Sequence, residues 1–129
     1  PLRKIAQLRE VDFGIFEGLT YTEIMKKYPK IYMRWLKNPL NVNIPEGENL
    51  RDFKKRVMKI FKTILSLNKN KTVAIVTHAG PIKIIINNIL KPKNIWEINS
   101  DLASINIIEL KNGKTKIELL NNTSYLKNG

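Results

Sequence analysis

Cysteine is absent from the sequence and histidine occurs once, at position 78, so several kinds of site are excluded from the start. Without cysteine the chain has no disulfides, thiolate metal ligands or cysteine nucleophile, and a structural zinc site lacks its usual ligands. Long apolar runs are missing too: none reaches the ~18 residues that span a bilayer, and no signal segment opens the chain. The 129 residues therefore predict a single cytoplasmic domain without metal, cofactor or membrane contact.

Acidic residues are few beside basic ones, and the formal net charge is +12. Such a charge favours an anionic partner, which would be nucleic acid, an acidic membrane or a phosphorylated metabolite. The alternative is a solvated surface, because the lysines and arginines are scattered along the chain. Since no RNA-binding motif, zinc finger or glycine-rich phosphate loop is present, nucleic acid is not an expected partner.

The first part of the chain predicts short elements separated by loops. RKIAQLREVDFG alternates weakly and stops at Gly14, which indicates a short strand followed by a loop. TYTE is a capping-box pattern, so a helix is expected to begin at Thr20, and Pro29 ends or kinks it. A second short helix is expected to carry Ile31, Trp35 and Leu36.

The remainder predicts an alternation of helices and strands. KNPLNVNIPEGEN reads as a loop, and Asn49 then caps a helix with an apolar stripe: Leu50, Phe53, Val57, Ile60, Phe61 and Ile64. TVAIVTH, residues 72–78, predicts a strand buried on both faces, followed by a helix with Pro81 at its first position. SINIIEL and TKIELL flank KNGK, a hairpin signal. Together these elements predict an α/β sandwich with a mixed sheet.

His78 follows the predicted strand and precedes Ala79, Gly80 and the predicted helix. Ligands of open α/β sheets bind outside the carboxyl ends of the strands, and the N-terminus of the next helix favours an anion there. Gly80 lets the backbone approach a ligand closely, and an imidazole beside a phosphoryl group can donate a hydrogen bond to its oxygens. The alternative is a histidine that only satisfies a hydrogen bond at a strand end.

Three carboxylates lie in QLREVDFGIFEG: Glu10, Asp12 and Glu17. A carboxylate at a strand end next to an anion site can serve as a general acid or base. The alternative is that these are ordinary exposed acids of a turn. The residue pattern alone leaves both interpretations open.

Taken together, LREVDFGIFEGLTYTEI, YP, PEGEN and VAIVTHAGPIK resemble the histidine phosphatase superfamily, also called phosphoglycerate mutase-like. The order and spacing of the blocks match across nearly all of residues 8–90, most like the small bacterial α-ribazole phosphatases and cofactor-dependent phosphoglycerate mutases. The resemblance implies a three-layer α/β sandwich with a mostly parallel mixed sheet. It also implies hydrolysis of a small phosphorylated metabolite through a phosphohistidine, without metal.

Position by position, the resemblance implies a role for each candidate residue. Glu10 becomes the catalytic acid/base, which protonates the leaving oxygen and later activates water. Glu17 becomes a second residue of the substrate pocket. His78 matches the second, non-nucleophilic histidine, which holds the phosphoryl group during transfer. Ala79 and Gly80 would bind substrate through the backbone, in a block where the family usually has two glycines.

The family's nucleophile is a different histidine, in an Arg-His-Gly motif that this sequence lacks. The chain then corresponds to the C-terminal two-thirds of the domain, without its N-terminal strand and helix, and is expected to be inactive alone. A start at Pro1 instead of methionine favours a fragment over a truncated, non-catalytic relative. Unpaired sheet edges would favour a homodimer or a swapped, associated fragment.

The length of the segment between Tyr28 and Pro45 separates two activities of the family. It lacks the long insertion typical of true mutases, which favours a phosphatase. Two alternatives stay open: phosphoryl transfer of the mutase type, and a non-catalytic module that binds an anionic ligand or partner through its basic surface.

Overall fold

The computed structural model describes residues 1–93 and 97–128, which group into two compact units, Pro1–Ile75 and Val76–Gly129. The first unit is helical: α1 is Tyr21–Lys27, α2 is Pro29–Lys37, α3 is Leu50–Leu67, and Ala6–Leu8 and Gly14–Phe16 are short 3-10 helices. The second unit holds α4 (Ala79–Leu90), β1 (Ile105–Lys111), β2 (Lys114–Asn122) and a 3-10 helix, Ser124–Asn128. The chain is therefore α/β, and none of its described helices is long and apolar enough to cross a bilayer.

Local capping chemistry sets the helix starts of the first unit. The Thr20 side chain accepts the Glu23 N–H while the Glu23 carboxylate accepts the Thr20 N–H at 2.8 Å, so the predicted capping box is confirmed. Pro29 is the first residue of α2 and thereby ends α1, as predicted. Asn49 caps α3, because its side-chain oxygen accepts two backbone N–H groups of the first turn.

Two sets of apolar side chains are buried in the first unit. One joins the helices α1 and α2 to the neighbouring loops: Phe16, Ile24, Tyr32, Trp35 and Ile44. The other is the predicted stripe of α3, which is confirmed at Phe53, Val57, Phe61 and Ile64. The lysines on the opposite face of α3 are exposed, as the amphipathic pattern requires.

The predicted hairpin of the second unit is confirmed. Asn112 and Gly113 turn the chain with φ values of +51° and +71°, the left-handed conformation that a two-residue hairpin turn requires. Strands β1 and β2 pair antiparallel from Lys111 opposite Lys114, and irregularities shift the register around Ile107.

The strand predicted at residues 72–78 is wrong. These residues carry neither helix nor strand, and Val76 is 97% exposed, so burial on both faces does not occur. A strand needs a hydrogen-bonded neighbour, and the one ladder of the described residues joins β1 to β2. The three-layer sandwich with a mostly parallel sheet therefore stays a prediction.

The opening strand is also wrong, since Ala6–Leu8 form a 3-10 turn. The main-chain carbonyls of Gln7, Arg9 and Glu10 accept hydrogen bonds from the Arg56 side chain. Among the described residues these carbonyls therefore bind a side chain and not a neighbouring strand. Sequence alternation cannot reveal this, because the competing donor lies far along the chain.

Helix α4 begins earlier than predicted. Its first residue is Ala79, so Pro81 occupies the third helical position and His78 is the N-cap. The N–H groups of a helix's first turn have no partner within the helix, so proline is tolerated there without loss of a helical bond.

Candidate functional site

His78 stands immediately before α4, with extended backbone dihedrals of φ −112° and ψ 170°. Its carbonyl accepts the Ile82 N–H at 3.2 Å and so starts the helix. The imidazole is exposed and makes no capping hydrogen bond to the described part of the chain. The side chain is therefore available to a ligand at the helix N-terminus.

Ala79 and Gly80 form the first turn of α4. The N–H groups of a first helical turn point into the space before the helix, where the helix dipole favours negative charge. A phosphate bound there would lie next to these backbone donors and to His78, the residue that precedes them. This arrangement can hold an anion, and the placement of a phosphate beside His78 stays a prediction.

Glu10 lies in the first unit, in the loop between the two 3-10 helices, and its side chain is half-buried. The Glu10 Oε1 accepts the Val11 N–H at 2.9 Å, and the Glu10 carbonyl accepts Arg56 Nη2 at 3.1 Å. A carboxylate on a loop held in this way can exchange a proton with a bound ester. The predicted residue type is present, but on a tethered loop instead of a strand end.

Arg56 is absent from the candidates that the sequence predicts, yet its guanidinium organises this loop. Nε and Nη2 form a bidentate pair with the Glu48 carboxylate at 2.6 and 2.8 Å. Nη1 donates to the carbonyls of Gln7 and Arg9 at 2.7 and 3.0 Å. The signal in the sequence is an arginine directly before the buried Val57, on a helix whose other basic residues are mostly lysine.

Gly14 lies where the segment QLREVDFGIFEG contacts the PEGEN loop, residues 45–49. The Ile15 N–H donates to the Pro45 carbonyl at 3.1 Å, and the Glu48 N–H donates to the Asp12 carbonyl at 2.8 Å. Gly14 has a φ of +51°, and a Cβ placed on it would lie 2.2 Å from the Pro45 carbonyl oxygen. Only glycine fits this close approach, and the two blocks, far apart in sequence, are fixed to each other.

Glu17 is exposed, and its carboxylate accepts the Phe13 N–H at 2.8 Å. This bond braces the turn formed by Gly14–Phe16. Glu17 thus shares one loop region of the first unit with Glu10, whereas His78 and its neighbours belong to the second unit. A direct role of Glu17 in a substrate pocket stays a prediction.

The ion pair between Glu48 and Arg56 makes folding stability depend on pH. Hydrogen bonds from Arg56, followed by its charge, hold the Glu48 pKa below the ordinary value of 4.5. A carboxyl whose pKa is lower in the folded state contributes stability above its unfolded pKa, and this contribution is lost as the pH falls through the folded pKa. We expect Glu48→Gln to flatten this acid-side loss, measured as unfolding free energy between pH 7 and about pH 3.

The matched control for that prediction is Glu48→Gln in an Arg56→Met background. Without the guanidinium, the same substitution is expected to change the pH dependence of stability much less, since the pair is already broken. Equal flattening in both backgrounds would contradict the assignment of the effect to this ion pair.

Comparison with known protein families gives a match over nearly the whole chain: residues 1–123 match the histidine phosphatase superfamily, branch 1. A bifunctional protein of Mycobacterium tuberculosis is 34% identical over 122 residues, which cover 92% of this chain and 33% of the relative. Phosphoserine phosphatase 1 of Hydrogenobacter thermophilus is 29% identical over 119 residues, which cover 91% of this chain and 56% of the relative.

Among solved structures, the α-ribazole phosphatase of Shigella flexneri matches with a TM-score of 0.81 at 22% identity. The match covers 95% of this chain and 61% of that structure. The described chain therefore shares this fold, and it spans between 33% and 61% of the length of the three proteins compared.

Proposed function

Because this chain belongs to the histidine phosphatase superfamily, we propose that it forms the acid/base and phosphate-clamping part of a phosphomonoesterase. The observation that carries the proposal is the placement of His78. Its imidazole is exposed at the N-cap of α4, beside first-turn backbone N–H groups. An imidazole and the backbone N–H groups of a first helical turn are both hydrogen-bond donors suited to the oxygens of a phosphoryl group.

In this proposal His78, Ala79 and Gly80 hold the nonbridging oxygens of the substrate's phosphoryl group. A second histidine attacks phosphorus, so that a P–N bond forms while the bond to the leaving oxygen breaks. Glu10 gives its proton to that leaving oxygen. The resulting carboxylate then takes a proton from water, whose oxygen attacks the phosphohistidine, releasing phosphate and restoring the histidine. Glu17 lines the pocket.

We place the attacking histidine outside these 129 residues, because the one histidine present is assigned to the clamp. The chain spans 33% to 61% of the proteins compared, which leaves room for a further segment. We propose that the same segment completes the three-layer sandwich and its mostly parallel sheet. Residues 1–129 would then be part of one domain.

The proposed substrate is a small phosphorylated metabolite. A net charge of +12 attracts anions of this kind, and two of the relatives are named for the phosphatase action on phosphoserine and α-ribazole. The segment between Tyr28 and Pro45 holds α2 and a short loop, and it lacks the long insertion of a mutase. The absence of that insertion favours hydrolysis over transfer between two metabolites.

Turnover of an aryl phosphate tests the proposal. Residues 1–129 alone are expected to show none above background, whereas the product of the complete reading frame that contains them is expected to release phosphate. Robust turnover by residues 1–129 alone would refute the assignment of the nucleophile. Tight, salt-dependent binding of nucleic acid that His78→Ala leaves unchanged would support a non-catalytic anion-binding module instead.

A further inference from the structure

We infer that Arg56 is the residue that positions Glu10 for proton transfer, acting through the main chain of residues 7–10. The inference rests on the proposed function, because it assumes that Glu10 is the acid. Arg56 is not expected to touch the substrate. Its effect is to fix the loop from which the Glu10 carboxylate reaches the leaving oxygen.

The guanidinium uses all of its donor directions in this role. Three of its hydrogen bonds go to main-chain carbonyls of the first 3-10 helix and the loop after it. The acceptors are Gln7, Arg9 and Glu10, at 2.7, 3.0 and 3.1 Å. The other two go to the Glu48 carboxylate at 2.6 and 2.8 Å. Five bonds equal the five N–H groups of an arginine, so the orientation of the guanidinium is fully determined.

The position of the guanidinium is itself fixed by α3. Its Cζ lies 4.8 Å from the centroid of the Phe53 ring, one turn earlier on the same helix. Phe53 and Val57 are almost fully buried, and the Arg56 side chain is only 15% exposed. The guanidinium of Arg56 is thus carried by a packed helix, and the position of α3 determines the position of the loop around Glu10.

Glu48 adds a second connection to the same loop. While its carboxylate binds Arg56, its backbone N–H donates to the Asp12 carbonyl at 2.8 Å. The loop around Glu10 is therefore held on both sides of that residue. The 3-10 turn and loop make no strand ladder with the described residues, and these side-chain bonds hold the Glu10 backbone to α3.

Lysine cannot replace Arg56 in this set of hydrogen bonds. An ammonium presents three donors from a single nitrogen, whereas a planar guanidinium reaches three carbonyls and a bidentate carboxylate at once. In the product of the complete reading frame, we expect Arg56→Lys to lower kcat/KM for an alkyl phosphate by about 10-fold to 100-fold, and for an aryl phosphate by less than about 3-fold. An alkoxide leaving group needs the proton, and a nitrophenolate does not.

Arg51→Lys is the matched control, because Arg51 lies on the same helix, is exposed and binds the Asn41 side chain instead. It is expected to leave kcat/KM unchanged for both substrates. A second variant, Glu48→Gln, keeps Arg56 but weakens its ionic partner, and it should show the same selective loss to a smaller extent. In a Glu10→Gln background, Arg56→Lys should cause little further loss for the alkyl phosphate.

Equal losses for the two substrates in both Arg56→Lys and Glu48→Gln would overturn the inference, since a general structural defect does not distinguish leaving groups. Unchanged kcat/KM values for both substrates in Arg56→Lys would overturn it as well. Failure of the proposed function has a different signature: Glu10→Gln would itself show no selectivity for the alkyl phosphate.

Discussion

Glu10→Gln is expected to lower kcat/KM for an alkyl phosphate by about 10²-fold to 10⁴-fold in the product of the complete reading frame, the usual range for removal of a general acid. Glutamine keeps the size of the side chain and its acceptor oxygen, so the hydrogen bond from the Val11 N–H can persist. What disappears is the proton that the leaving oxygen must receive. Steady-state kinetics with an alkyl and an aryl phosphate of similar size measure the effect.

The aryl phosphate is the internal control for Glu10→Gln. Its leaving group departs as an anion, so kcat/KM is expected to fall by less than about 10-fold. Glu46→Gln is the matched variant, because Glu46 is an exposed carboxylate of the neighbouring PEGEN loop. A uniform loss with both substrates, or a comparable loss in Glu46→Gln, would remove Glu10 from the role of acid.

His78→Ala is expected to lower kcat/KM by about 10²-fold to 10³-fold, and to do so equally for alkyl and aryl phosphates. In the proposed mechanism the imidazole stabilises charge on the phosphoryl oxygens, and this charge develops whichever group leaves. Because the side chain is exposed and makes no capping bond to the described residues, its removal is expected to change folding stability little. The affinity for inorganic phosphate should fall in parallel, which direct binding measurements can follow.

Asn88→Ala is the control for His78, since Asn88 is an exposed residue of the same helix, distant from its N-terminus. It should leave both kcat/KM and phosphate affinity unchanged. If His78→Ala retained phosphate affinity and full turnover, the clamp at the N-terminus of α4 would be wrong. A loss confined to alkyl phosphates would instead assign His78 to proton transfer.

Features encoded within a few residues were predictable from the sequence. The capping box at Thr20 and Glu23 is confirmed because both partners lie within one helical turn. The same holds for Asn112 and Gly113, whose left-handed conformation forms the hairpin turn. The stripe of α3 is predictable for a related reason, since the helical period itself brings these apolar residues to one face.

Features that need a distant partner were not predictable. Residues 72–78 have the composition of a buried strand, but composition does not supply the neighbouring strand that would pair with them. Apolar and polar residues alternate weakly in the opening stretch, yet its main-chain carbonyls accept hydrogen bonds from the Arg56 guanidinium. The stretch therefore forms a turn and a loop instead of a strand. Arg56 contacts residues that are distant in sequence, Glu48 and the stretch 7–10, and no local pattern identifies these contacts.

The site was predictable in part for the same reason. His78, Ala79 and Gly80 are consecutive, so one helix start positions them together. The residue pattern made Glu10 one of three candidate carboxylates, and resemblance to a family singled it out as the acid. Its hydrogen bond with Arg56 was visible only in three dimensions. Candidate site residues can thus be predicted from the sequence, whereas the hydrogen bonds that position their side chains cannot.

The most direct test of this account locates the phosphoryl group on the enzyme. The Glu10→Gln variant of the complete product is mixed with an aryl phosphate and quenched in base, where phosphohistidine is stable, and its peptides are analysed by mass spectrometry. Because Glu10 is also proposed to activate water, dephosphorylation should be slow and the intermediate should accumulate. The account predicts a phosphoryl group on a histidine outside residues 1–129. Phosphorylation of His78, or sustained turnover without any phosphohistidine, would contradict it.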